Sequence, residues 1–305
     1  MSYLLPEQFV RSDAALSRTW RVSEAEDYTR WLSTHHYENF HVVSFLLPKR
    51  LHQDFYNVYS FCRWADDLGD EIPDKAEALR LLQWWRGLLD AMYEGEAWHP
   101  VFVALRATIH RHNLPKQPFS DLISAFIQDQ SVSRYETWQS VYDYCRCSAN
   151  PVGHLLLYLC GYADPERQRL SDATCTALQL ANFWQDVSVD LLKDRVYIPL
   201  EVMRRRQYSV ADLLAGKEND AFRAVMKDAV NRARELFIKG LPLVQTVDRR
   251  LSIDLDLFSR GGMRVLDKIE AQNYNVLHRR PAIGKMERVG ILLGSLVRQG
   301  FRRAA

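Results

Sequence analysis

Apolar residues recur at helical spacing almost from end to end of the chain, and this narrows the choice of folds more than any other feature. In "DKAEALRLLQWWRGLLDAMYEG", Leu79, Leu82, Trp85, Leu89 and Met92 fall three to four residues apart, the period of one helix face. Asp74 stands where an N-cap belongs, with Glu77 three residues on, and Gly95 lies just past the end. "NDAFRAVMKDAVNRARELFIKG" repeats the pattern with Phe222, Val225, Ala229, Ala233 and Leu236, and Gly240 reads as its stop. Further helices are expected near 24–36, 51–71, 99–112, 118–129, 137–147, 151–161, 166–192, 248–277 and 284–300. Strand alternation is missing, as are Asn-Gly or Asp-Gly hairpin turns between apolar runs. The expectation is an all-α fold, a single domain over residues 1–305 packed as a bundle around a shared interior.

With 305 residues, 47% of them hydrophobic, the chain can build a large core. A net charge of +2 gives no sign of nucleic-acid binding. "MSYLLPEQFVRSD" lacks a basic segment followed by an apolar one, so no signal peptide is read. The uncharged stretch "NPVGHLLLYLCGYA" is shorter than the ~20 residues a membrane span needs. Five cysteines (Cys62, Cys145, Cys147, Cys160, Cys175) show no CxxC spacing, which argues for reduced thiols in the cytoplasm rather than a zinc site. The tail "VGILLGSLVRQGFRRAA", with Arg298, Arg302 and Arg303, suits either a last core helix with a basic end or peripheral contact with an anionic membrane face.

The stretch "FCRWADDLGDE" crowds Asp66, Asp67, Asp70 and Glu71 behind an aromatic run. Like charges four apart on a helix cost roughly 0.2–0.5 kcal/mol per pair, so an outside partner should offset them. Asp66 and Asp70 share one face with Arg63 and Tyr59. About 120 residues on, "NFWQDVSVD" repeats the spacing with Asp186 and Asp190, preceded on the same stripe by Asn182 and Gln179. Acidic helix faces are usually just solvated, but two such pairs, each joined by polar groups at helical spacing, point to a site. Four or five carboxylates form a hard-oxygen nest, and Mg²⁺ takes one or two carboxylates each plus substrate phosphates. Two or three Mg²⁺ ions would remove the repulsion and clamp a diphosphate leaving group. Arg63, Lys193, Arg195 and Arg279 are candidate donors to its oxygens, because guanidinium matches phosphate bidentately.

These residues resemble the squalene and phytoene synthase family, over most of the chain from about 35 to about 290. "YSFCRWADDLGDE" is similar to the family's first aspartate-rich motif. "LQLANFWQDVSVDLLKDRVYIP" is similar to its second with the following flap, and "YCRCSANPVG" to the helix between them. The resemblance implies an isoprenoid-synthase-type bundle around a central apolar cavity, with Asp66, Asp67, Asp70, Asn182, Asp186 and Asp190 as metal ligands. It implies contacts to substrate from His36, Arg63, Gln179 and Arg279, a substrate-facing Tyr144, and a cap formed by Arg195 and Tyr197.

Three departures bear on the product. Gln185 stands where the family commonly has Arg, Gly262 where it often has an aromatic, and Ala149-Asn150 where it has Ala-Gly. "HYENFHVVSFLLP", "SANPVG" and "FSRGG" resemble the bacterial hydroxysqualene synthase branch of squalene and hopanoid biosynthesis. That branch ionises presqualene diphosphate and traps the rearranged cation with water. A small residue at 262 and an amide at Asn150 are expected to make room for that water, and no NADPH is expected. The product implies handover to a downstream reductase. Two other readings stay open: condensation of two farnesyl diphosphates by a squalene- or phytoene-type synthase, and a non-catalytic member acting as a binding or assembly subunit.

Overall fold

The computed structural model describes residues 3–35, 48–284, 286–288, 290–292 and 294–295. His36 and the tail arginines Arg298, Arg302 and Arg303 lie outside these described residues. Within them the secondary structure is helical, and the β-structure is confined to an isolated parallel bridge between Arg134 and Val196. No helix among them is long and apolar enough to cross a membrane.

The chain divides into two compact units, Met1–Ser131 with His154–Ala163 and Val132–Gly153 with Asp164–Ala305. The first holds α1 (Pro6–Phe9), α2 (Asp13–Leu16), α3 (Val22–His35), α4 (His52–Asp70), α5 (Lys75–Tyr93), α6 (Pro100–His112) and α7 (Gln117–Asp129). Asp74 caps α5 by accepting from the Ala76 amide at 2.9 Å, and Gly95 follows the helix at φ 108°, where a side chain would be strained. α4 is the hub, packed against α3, α5, α6 and α7. Its Phe61 and Trp64 enter an aromatic core in which Trp64 stacks on Trp85 at 5.0 Å and 5°. His99 meets the Trp64 ring edge-on at 4.4 Å. Such ring pairs add about 0.5–1.5 kcal/mol each beyond area burial. His99 is wholly buried, and that desolvation holds its pKa well below the ordinary value, so it is neutral. Elsewhere on α4, Asp54 accepts from Thr108 at 2.8 Å and pairs with Arg111 and with His112 at 2.9 Å. This buried carboxylate is fully partnered.

The second unit contains α8 (Trp138–Ser148), the start of α9 (Asn150–Leu159), α10 (Pro165–Gln185), α11 (Val187–Leu192), α12 (Leu200–Arg205), α13 (Val210–Leu214), α14 (Asp220–Gly240) and α15 (Arg249–Ala271). α10 packs mainly on α14 and α15. A Cβ on Gly240 would meet Thr174 Oγ1 at 2.1 Å, and the residue's φ is −82°. Gly240 thus permits close helix approach rather than supplying a left-handed stop.

Three expectations need correction. The helix expected over 166–192 is interrupted at Asp186, whose φ and ψ are −107° and 14°. The last long helix ends at Ala271 rather than 277, because Asn273 and Tyr274 adopt left-handed φ of 55° and 61° and turn the chain back. Gly262 leaves no room for a water, since the Phe237 ring fills the space and would lie 2.2 Å from an added Cβ.

Candidate active site

In the first unit the acidic cluster occupies the C-terminal turn of α4, the negative end of the helix dipole. No basic residue lies in that turn, so the repulsion among the carboxylates is worsened by the backbone. Arg63 offsets it from within the helix. Only 5% exposed, it donates from Nε to Asp67 Oδ1 at 2.8 Å, reaches the same oxygen through Nη2, and meets Asp66 Oδ2 through Nη1 at 3.1 Å. Asp67, with 6% of its side chain exposed, is therefore the structural counter-ion of Arg63 rather than a third open ligand. The Asp66 side chain is 37% exposed, and Asp70 is exposed at the helix end.

In the second unit the backbone ladder runs through the break in α10. The Asp186 amide donates to Asn182 O at 2.9 Å, and the Asp190 amide donates to Asp186 O at 2.8 Å. Asp186 and Asp190 therefore stay one turn apart, below an exposed Asn182 and a half-buried Gln179. The counter-charge here comes from far along the sequence: Arg280 Nε and Nη2 both donate to the Asp186 carboxylate, the latter at 3.1 Å. Gln185 Nε2 donates to Pro281 O at 2.6 Å. Sequence reasoning picked Arg279 from the "HRRP" pair and missed Arg280. The signal was Pro281, which favours extended backbone in the residue before it.

The flap begins where α11 ends. Asp194 takes a left-handed φ of 54°, its amide donates to Leu191 O at 3.1 Å, and the Arg195 amide donates to Asp190 O at 2.9 Å. This is a Schellman ending with Asp in place of the usual Gly. Arg134, also missed from sequence, secures it by donating to both the carbonyl and the carboxylate of Asp194. The chain then zips along the segment before α8, with the Val196 amide on Ser133 O at 2.9 Å and the Leu200 amide on Tyr135 O at 2.9 Å. That pairing lays Tyr197 flat on Phe183, ring centroids 3.7 Å apart at 3°, with Tyr135 at 5.6 Å and Tyr144 at 5.8 Å. Tyr144 and Tyr197 are thus brought together. Arg195 and Asp190 line a void of about 10 Å³ beside this stack, enough for one water.

Asn150 is not brought to this cluster. Its Oδ1 accepts from Thr176 at 3.0 Å, and it lines a separate cleft of about 280 Å³ with Tyr142, Asp143 and Arg146. Tyr142 and Arg146 lie on the face of α8 away from Tyr144, because residues two apart on a helix point roughly oppositely. Cys145, next to Tyr144, is wholly buried, and desolvation pushes its thiol up to about 12, so it holds no nucleophilic thiolate at neutral pH.

Among the described residues no group of three or more His, Cys, Asp or Glu side chains is arranged to hold a metal ion by itself. The hard-oxygen pairs Asp66 with Asp70 and Asp186 with Asp190 fit instead an ion that completes its shell with diphosphate oxygens and water.

An all-α enzyme fold with two DxxxD helices defines the isoprenoid-synthase class. A family model for squalene/phytoene synthase matches residues 33–287. The chain is 30% identical to the 15-cis-phytoene synthase of Synechocystis sp. over 273 residues, 85% of this chain and 80% of that one. It is 31% identical to the hydroxysqualene synthase of Rhodopseudomonas palustris over 276 residues, 88% of this chain and 92% of the relative. The crystal structure of squalene synthase HpnC from Alicyclobacillus acidocaldarius superposes with a TM-score of 0.81 at 42% identity, covering 83% of this chain and 96% of that one. The chain belongs to the squalene/phytoene synthase family.

Proposed function

We propose that the chain is a Mg²⁺-dependent hydroxysqualene synthase that converts presqualene diphosphate and water to hydroxysqualene and diphosphate. The observation that carries the diphosphate chemistry is the same in both units: an exposed or half-buried DxxxD pair whose leading carboxylate already holds a guanidinium. The product assignment is supported by the branch-like segments around residues 36–48, 148–153 and 258–262 and by identity to curated hydroxysqualene synthases.

In this reading Asp66, Asp70, Asp186, Asp190 and Asn182 hold the ions, which supply charge neutralisation to the diphosphate as it departs. Arg195, Arg279 and Lys193 donate to diphosphate oxygens, while His36 and Gln179 help orient it. The C–O bond to diphosphate breaks with its electron pair leaving on the diphosphate. After rearrangement a water oxygen bonds to the allylic cation and loses a proton. The conversion is a hydrolysis with no net oxidation or reduction, so no NADPH is consumed. The Tyr197–Phe183–Tyr144 rings exclude bulk water and offer π faces to the cation. In this reading residues 1–305 form one catalytic domain. The alcohol then passes to a reductase.

Purified protein with Mg²⁺ is given farnesyl diphosphate or presqualene diphosphate, with and without NADPH, and products are identified by mass spectrometry. Hydroxysqualene from presqualene diphosphate alone is expected. Consumption of farnesyl diphosphate would instead favour a condensing synthase, a reading kept open by the equal similarity to phytoene synthases. Asp66→Asn and Asp186→Asn should each lower turnover by at least ~10²-fold, since leaving-group stabilisation is among the largest catalytic contributions.

A further inference from the structure

The two guanidiniums that neutralise the acidic motifs differ in their freedom to leave. Arg63 is buried, lies on the same helix as Asp66 and Asp67, and is held by both. Arg280 has a half-exposed side chain and approaches Asp186 from a strap that follows α15. The strap backbone is fixed on both sides of Arg280. Gln272 Nε2 donates to Arg279 O at 2.8 Å, and Gln185 donates to Pro281 O at 2.6 Å. Farther along, Glu287 accepts from the Gly284 amide at 2.8 Å and pairs with Arg264 and Lys268 on α15, each at 2.8 Å. A side-chain rotation therefore suffices to free Asp186, with no backbone movement. Arg280 thus stands directly against the leading carboxylate of the second motif.

Resting on the metal–diphosphate reading above, we infer that Arg280 is an exchangeable counter-ion of the second acidic motif. It neutralises Asp186 while the motif is empty and is released to the diphosphate when metal and diphosphate arrive together. A divalent ion alone must displace Arg280 and leave that guanidinium without its carboxylate partner. An ion carrying diphosphate brings Arg280 a new anion. Free metal therefore binds this motif weakly, and entry is coupled to the phosphate-bearing substrate. Arg63 takes no part in such an exchange, because it is buried and held by both Asp66 and Asp67 on its own helix.

The test uses the full chain and Mn²⁺, with binding read by calorimetry and by the loss of the free-ion paramagnetic signal, with and without inorganic pyrophosphate. Arg280→Gln should tighten binding of Mn²⁺ alone by about three- to fivefold, the range of a partly exposed ion pair. It should weaken binding of the Mn²⁺–pyrophosphate pair. Arg205→Gln removes the same charge at an exposed position with no role in the site and should leave the affinity for Mn²⁺ alone unchanged. Equal affinity of wild type and Arg280→Gln for Mn²⁺ alone, or equal tightening by both variants, would overturn the exchange while leaving the metal–diphosphate reading intact. Failure of the wild type to take up Mn²⁺ even with pyrophosphate would overturn that reading as well.

Discussion

The first and second acidic motifs share a spacing but solve the charge problem in opposite ways. The first places its carboxylates at the unfavourable end of α4 and neutralises them from inside the helix with Arg63. The second breaks its helix at Asp186, so Asp190 falls in the favourable first turn of α11, and borrows Arg280 from 94 residues away. The same contrast appears in the buried aspartates. Asp54 in the first unit is 1% exposed and fully partnered. Asp254 in the second is equally buried, yet neither of its oxygens has a hydrogen-bond partner among the described residues. Charge in the first unit is part of the fold, whereas charge in the second is held in reserve.

The largest effect expected from this contrast is at Arg63. Arg63→Met leaves Asp67 buried without its guanidinium and should destabilise the protein by about 3–5 kcal/mol, measured by urea unfolding. A change below ~1 kcal/mol would place Arg63 on the same footing as Arg280 and break the comparison. Next comes Asp254, whose carboxyl is raised to about 8 by burial and, less, by Asp248. A carboxyl raised in the folded state stays protonated while the unfolded chain ionises, so stability falls as pH rises from about 4 to about 8. Asp254→Asn should therefore gain roughly 2–4 kcal/mol at pH 8 and little at pH 4, with melting followed at both. Equal gains at the two pH values would remove the unpartnered carboxylate from the account.

A smaller effect is expected at Gly262, where a Cβ would press on the rigid Phe237 ring. Gly262→Ala should cost about 1–3 kcal/mol and be rescued in a Phe237→Leu background, which a double-mutant cycle reads directly. The smallest effect belongs to Arg280. Arg280→Gln should change unfolding free energy by no more than about 1 kcal/mol, since the pair is half solvated.

Helical class, many of the helix positions and both DxxxD spacings were legible because period and charge spacing are local properties of the sequence. Asp74 and Gly95 punctuate α5 as expected for the same reason. What lay hidden was decided by contacts between distant segments. Gly240 looks like a stop but serves close packing against Thr174. Gly262 looks like a gap but receives Phe237 from a neighbouring helix. Asn150 shares a short motif with Tyr144, yet it begins a new helix and its Oδ1 accepts from Thr176, 26 residues away. Arg134 and Arg280 reach carboxylates 60 and 94 residues away, a relation no local pattern encodes.

Because the strand-like segment bearing Tyr197 is laced by its amides to residues 133–136, it cannot peel away by itself. Lifting that tyrosine means either unlacing the seam one amide at a time or swinging Tyr135 and the root of α8 along with it. If the seam swings as one piece, its Val196 and Leu200 amides exchange with deuterium at one shared slow rate; if it unlaces, they exchange at different rates.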